Sequence, residues 1–97
     1  MDVFLNTNKP KIHLRLTKYG NKCITTIEGL DDDLDLKRIN RAMKRTFNCA
    51  STLKTGEDDE QIIQLQGDHR IDVKEWLIVN EVLTAKEAEE RIVVHGG

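Results

Sequence analysis

The sequence predicts an α+β domain, a two-layer open sandwich in which two main helices pack on one face of a five-stranded, mostly antiparallel sheet. Three observations predict it. Residues 12–16, 23–27 and 62–66 alternate or are rich in β-branched side chains, the period of two expected where one side of a sheet meets a core. Leu36, Ile39, Met43 and Phe47 instead recur at intervals of three and four, the helical period. The segments run strand, strand, helix, strand, strand, helix, short helix, strand, an order that places helices on one side of a sheet and leaves the other side partly open.

Taken in order, residues 1–10 read as a short flexible leader ending at Lys9-Pro10, and residues 11–97 as one domain. Ile12, Leu14 and Leu16 alternate with His13, Arg15 and Thr17. The pattern breaks at Lys18-Tyr19-Gly20-Asn21-Lys22 and resumes from Cys23 to Ile27, which reads as a β-hairpin whose tip uses Gly20 and Asn21 for positive φ. Asp31-Asp32-Asp33 and Asp35 suit the start of the first helix, where carboxylates cap free N–H groups and face the positive end of the macrodipole. Residues 50–54 form a short strand, 55–59 a turn and 60–66 a strand with Ile63 and Leu65 on one face and Gln64 and Gln66 on the other. A second helix is expected from about Asp72, presenting Val73, Trp76, Leu77 and Asn80, with Trp76 as a core anchor. Thr84 and Glu87 have capping-box spacing for a short helix to about Arg91, and residues 92–95 close the domain as a strand.

Composition bounds the function. Ninety-seven residues with 38% apolar content support one modest core. Fifteen Lys and Arg against seventeen Asp and Glu give a net charge of −2, so any nucleic-acid affinity rests on how charge is distributed. Cys23 and Cys49 are far apart and form no C-x-x-C pair, which fits reduced thiols and a cytoplasmic protein. No apolar run approaches the roughly 20 residues that span a bilayer.

The distribution is uneven. Lys37, Arg41, Lys44 and Arg45, with Arg38 at the edge, gather on one side of the first helix, opposite its apolar residues, and suit a phosphate backbone. Lys18, Lys22 and the ring of Tyr19 at the hairpin tip form a combination that meets unpaired RNA. Asp68 and His69 are adjacent, a poor arrangement for proton transfer, and no nucleophile or phosphate-cradling motif accompanies them, so no catalytic residue is assigned. His13, His69, His95, Cys23 and Cys49 lack metal-ligand spacing, so no metal site or cofactor is expected.

Four segments in order, Lys11-Ile12-His13-Leu14-Arg15, Thr25-Thr26-Ile27-Glu28-Gly29, Gln64-Leu65-Gln66-Gly67-Asp68 and Val94-His95-Gly96, resemble the eukaryotic translation initiation factor one family. The resemblance implies a non-enzymatic, monomeric factor that binds the small ribosomal subunit (rRNA) near the peptidyl-tRNA site, promotes scanning and enforces start-codon selection. Initiator tRNA and mRNA would lie close by, and other translation initiation factors would be partners. By position, the tip Lys18, Tyr19, Gly20, Asn21 and Lys22 matches the loop that approaches the codon. The first-helix cations match the surface that lies on rRNA, and Gly67, Asp68, His69 and Arg70 match the family's Gly-Asp-x-Arg turn. Two alternatives stay open: a ubiquitin-like modifier conjugated through Gly96-Gly97, and a ribosome recycling or reinitiation domain. The strand ending just before the glycine pair disfavours the first, and the 97-residue length disfavours the second, which normally ends a longer chain.

Overall fold

A computed structural model describes residues 10–31 and 33–96. The expected leader therefore lies, Pro10 apart, outside the described residues, as do Asp32 of the acidic cluster and Gly97. The elements are β1 (Ile12–Tyr19), β2 (Lys22–Glu28), α1 (Leu36–Phe47), β3 (Ser51–Thr55), β4 (Gln61–Gln66), α2 (Arg70–Val79), α3 (Ala85–Arg91) and β5 (Ile92–His95). They form a five-stranded sheet in the order β3-β4-β2-β1-β5. Every pair is antiparallel except β1 with β5, which α3 returns to the edge in the parallel sense. The α+β open sandwich is as the periodicities predict.

Strand alternation decides which side is dry. Ile12 and Leu14 of β1, Ile27 of β2, and Ile63 and Leu65 of β4 share one face and are at most 1% exposed. Onto them pack Leu36, Ile39 and Met43 from α1, Val73 and Leu77 from α2, and Ala88 from α3. Each of these side chains except Ala88 contributes about 1.5–3 kcal/mol relative to exposure. Asn40 of α1 accepts a hydrogen bond from Ser51 of β3, which fixes the helix over that edge. Among the described residues no helix covers the opposite sheet face, which carries His13, Arg15, Tyr19, Lys22, Ile24, Gln64, Gln66 and His95.

Five local expectations need correction. α2 begins at Arg70 rather than Asp72, because His69 takes the N-cap position and its carbonyl accepts from Val73 N at 2.8 Å. Trp76 is half-buried: the buried stripe of α2 runs through Val73 and Leu77, and Trp76 flanks it. Asn80 is an exposed C-cap whose Nδ2 donates to the Trp76 carbonyl at 3.0 Å. At the hairpin tip only Gly20 has positive φ, +62°, the geometry of a II′ turn, while Asn21 does not. Of the acidic cluster, Asp35 caps α1 by accepting from Arg38 N at 3.2 Å, as expected. Asp31 instead pairs with Arg91, whose side chain is 8% exposed, at 2.9 Å.

Candidate nucleic-acid interface

α1 brings the largest charge. Its apolar stripe faces the core, which turns Lys37, Arg38, Arg41, Lys44 and Arg45 outward, and all five are exposed. Among the described residues none of the five forms an ion pair. Lys37 and Arg41, and Arg41 and Arg45, stand four apart; Arg38 and Arg41, and Arg41 and Lys44, stand three apart. Each like-charge pair on a helix costs about 0.2–0.5 kcal/mol. The face keeps four of them, a cost to helix stability that no ion pair of these cations offsets among the described residues. Lys44 and Arg45 also sit at the negative end of the macrodipole, and with Arg41, Asn48, Cys49 and Ala50 they line a concavity of about 530 Å³.

The Gly67-Asp68-His69-Arg70 turn is held from several sides. Gly67 has φ +103°, and a Cβ there would come within 2.8 Å of His69 Nε2, so the position requires glycine. Gly67 N donates to Cys23 O at 2.8 Å. Thr25 Oγ1, with the residue 0% exposed, donates to Gly67 O at 2.6 Å and accepts from His69 N at 2.8 Å. His69 Nε2 donates to Gln66 O at 2.9 Å, and its ring stacks on Phe47 at 5.2 Å between centroids. Its Nδ1 lies 3.6 Å from Asp72 Oδ2, beyond hydrogen-bond reach.

Asp68 is not a free carboxylate. Arg70 Nε and Nη2 donate to its two oxygens, each at 2.9 Å, and Arg70 Nη1 donates to His95 O at 2.9 Å. The Arg70 hydrogen bonds hold the Asp68 carboxyl below its ordinary range, and Asp68 in turn raises Arg70. Asp68 thus orients Arg70, which ties the turn to β5. On the open sheet face His13 Nδ1 and His95 Nε2 lie 2.9 Å apart, and Arg15 pairs with Glu28 at 3.1 Å.

Register brings these parts to one end of the sheet. The tip pair Tyr19 and Lys22 closes β1 and β2, Ile24 opposes Gln66, and Gln66 N donates to Ala50 O at 2.9 Å beside the C-terminus of α1. The hairpin tip, the Gly67–Arg70 turn and the Arg41–Arg45 end of α1 are therefore neighbours, while Lys37 and Arg38 lie further along the helix. Sequence reasoning missed Thr25 and Arg91. A threonine sharing the core face with Ile27 was the available signal, because a buried hydroxyl has to find partners. Among the described residues no group of three or more His, Cys, Asp or Glu side chains is placed to hold a metal ion, and no helix is long and apolar enough to cross a membrane. Cys23 and Cys49 are free thiols, and burial raises the pKa of Cys49.

The family model described as Translation initiation factor SUI1 matches residues 8–83. The chain belongs to the SUI1 translation initiation factor family. Among SUI1 relatives, it is 42% identical over 86 residues to the protein translation factor sui1 of Schizosaccharomyces pombe, covering 88% of this chain and 75% of that one. It is 39% identical to the SUI1 homolog of Acanthamoeba polyphaga mimivirus, with coverages of 89% and 79%. Human eukaryotic translation initiation factor 1 is 36% identical, with coverages of 88% and 73%. The SUI1 fold is also that of the C-terminal domain of human eIF2D, with a TM-score of 0.70 at 22% identity over 87% of this chain and 42% of that one. Membership of the SUI1 family favours the initiation-factor reading over a ubiquitin-like modifier. β5, paired with β1 through His95, agrees with that preference.

Proposed function

We propose that this SUI1-family chain acts in the cytoplasm as a monomeric factor that binds the small ribosomal subunit near the peptidyl-tRNA site, promotes scanning and enforces start-codon selection. One observation carries the reading: the hairpin tip, the Gly67–Arg70 turn and the Arg41–Arg45 end of α1 share one end of the sheet. Lys37, Arg38, Arg41, Lys44 and Arg45 anchor on rRNA phosphates, recognising shape and backbone more than sequence. The tip Lys18 to Lys22, held against the Thr25-bound turn, projects beside the codon and opposes settling of initiator tRNA. Other initiation factors, mRNA and initiator tRNA are its neighbours there. The action is steric and electrostatic, with no bond made or broken and no cofactor required.

Binding to purified small subunits across a salt series tests the anchoring step. If each of the five helix cations displaces a counterion, log K falls with log salt with a slope of about −3 to −5. Exchanging Lys37, Arg41 and Lys44 for Glu abolishes binding at moderate salt and flattens that slope. Binding that is indifferent to salt and to the charge reversal would remove the anchoring helix from the account.

A further inference from the structure

On the open face of the sheet, next to the hairpin tip, Tyr19, Asn21, Lys22, Cys23, Ile24, Gln66 and Gly67 line a cleft of about 460 Å³. Alternation puts the side chains of Tyr19, Lys22, Ile24 and Gln66 on the same side: Tyr19 pairs with Lys22, Ile24 pairs with Gln66, and Lys22 and Ile24 are two apart on β2. The four groups differ in chemistry. Tyr19 is 61% exposed although it is a large ring, Ile24 is a half-buried apolar floor, Lys22 is an exposed cation, and Gln66 is an exposed amide. Among the described residues neither Gln66 nor Asn21 uses its side-chain amide in a hydrogen bond. A ring, an apolar floor, a cation and two unengaged amides are the elements that bind an unpaired nucleotide: a stacking surface, a phosphate contact and donor–acceptor pairs for a base edge.

We infer that this cleft is a nucleobase-binding site that takes one unpaired purine. The base stacks on Tyr19 over Ile24, its edge meets the Gln66 and Asn21 amides, and its phosphate lies at Lys22. The preference for a purine follows from stacking, because the double ring covers more of the Tyr19 face than a pyrimidine does. The amides add hydrogen bonds without choosing between adenine and guanine, since every unpaired base sets a donor beside an acceptor on its Watson–Crick edge. Gly67, held by Cys23 O and Thr25 Oγ1, keeps the rim of the cleft fixed. The inference rests on the ribosomal reading above for the source of the RNA, and it adds base readout to a surface otherwise addressed to backbone.

The test is titration of the isotopically labelled chain with short oligo(A), oligo(C) and oligo(U), following backbone amides by NMR. Oligo(A) is expected to shift the amides of Tyr19, Lys22, Ile24, Gln66 and Gly67 and to bind several-fold more tightly than oligo(U). Tyr19→Ala weakens oligo(A) about 5- to 100-fold, Tyr19→Phe retains it, and Gln66→Leu weakens oligo(A) and oligo(U) alike while keeping the purine preference. Equal affinities for the three oligonucleotides, shifts confined to α1, or an indifferent Tyr19→Ala would overturn the site. The small-subunit salt series run on the same samples separates the two readings. A native chain that binds subunits but gives no shift in the cleft refutes the base site alone, and a chain that binds no subunit refutes the ribosomal reading whatever the oligonucleotides do.

Discussion

Thr25→Val isolates the contact that holds the Gly67–Arg70 turn. The two side chains have nearly the same shape, so the exchange removes one hydroxyl from a position 0% exposed. Two hydrogen bonds go with it, to Gly67 O at 2.6 Å and from His69 N at 2.8 Å. Each is worth about 1 kcal/mol net, and the two backbone groups left behind add to the loss where water cannot reach them. The added methyl offsets up to about 0.8 kcal/mol. The balance is a destabilisation of about 2 kcal/mol, or roughly 8–16 °C in Tm for a domain of this size. Urea unfolding is the assay, with the m-value unchanged and amide exchange of residues 67–70 accelerated. Thr25→Ser keeps the hydroxyl and loses only a methyl, about 0.8 kcal/mol. A Thr25→Val variant within about 0.5 kcal/mol of the native chain, or a Thr25→Ser variant just as unstable, would refute the reasoning.

Gly67→Ala forces a side chain into φ +103° and against His69 Nε2, so it should cost about 1–3 kcal/mol and disturb the His69 ring signals in an NMR spectrum. Because Asp68 is 46% exposed, water screens its pair with Arg70, so Asp68→Asn should leave Tm within a few degrees while loosening Arg70 from His95 O. Because Arg70 lowers the Asp68 carboxyl, that small contribution is present above pH about 3.9 and lost as pH falls through the lower folded value, where the native and Asp68→Asn unfolding curves should converge. His95 is lowered by burial first, then by Arg15 and His13, with Glu28 opposing. Its neutral form is the one the fold favours, so stability is full above pH about 6.5 and declines as pH falls through the folded value, a decline that His95→Gln should flatten in Tm measured against pH.

The parts of this molecule that could be read in the sequence are those in which one segment's side chains carry their own period. Ile12, Leu14, Ile63 and Leu65 give the strands, Leu36, Ile39 and Met43 give α1, and the outward placement of its five cations follows from the same arithmetic. The capping box at Thr84 and Glu87 is likewise local and forms with both bonds at 3.0 Å. What the sequence did not show depends on segments distant along the chain. Arg91 is buried because Asp31 and the Pro10 carbonyl meet it, and Thr25 tolerates its dry position because Gly67 and His69 bond it from the end of β4. Trp76 has helical spacing, yet the position of α1 leaves it at the rim with Phe47. Asp68 shows the same limit: the motif marks the turn, while the orienting role of its carboxylate is visible only with Arg70 and His95 in place.

Start-codon stringency in a translation extract depleted of its own factor tests the central claim most directly. The reading is the ratio of initiation at a near-cognate codon to initiation at AUG. The native chain is expected to lower that ratio, and a variant with Lys18 and Lys22 changed to Glu, still anchored through α1, is expected to leave it high. A native chain that binds the small subunit yet leaves the ratio where depletion put it would contradict the account.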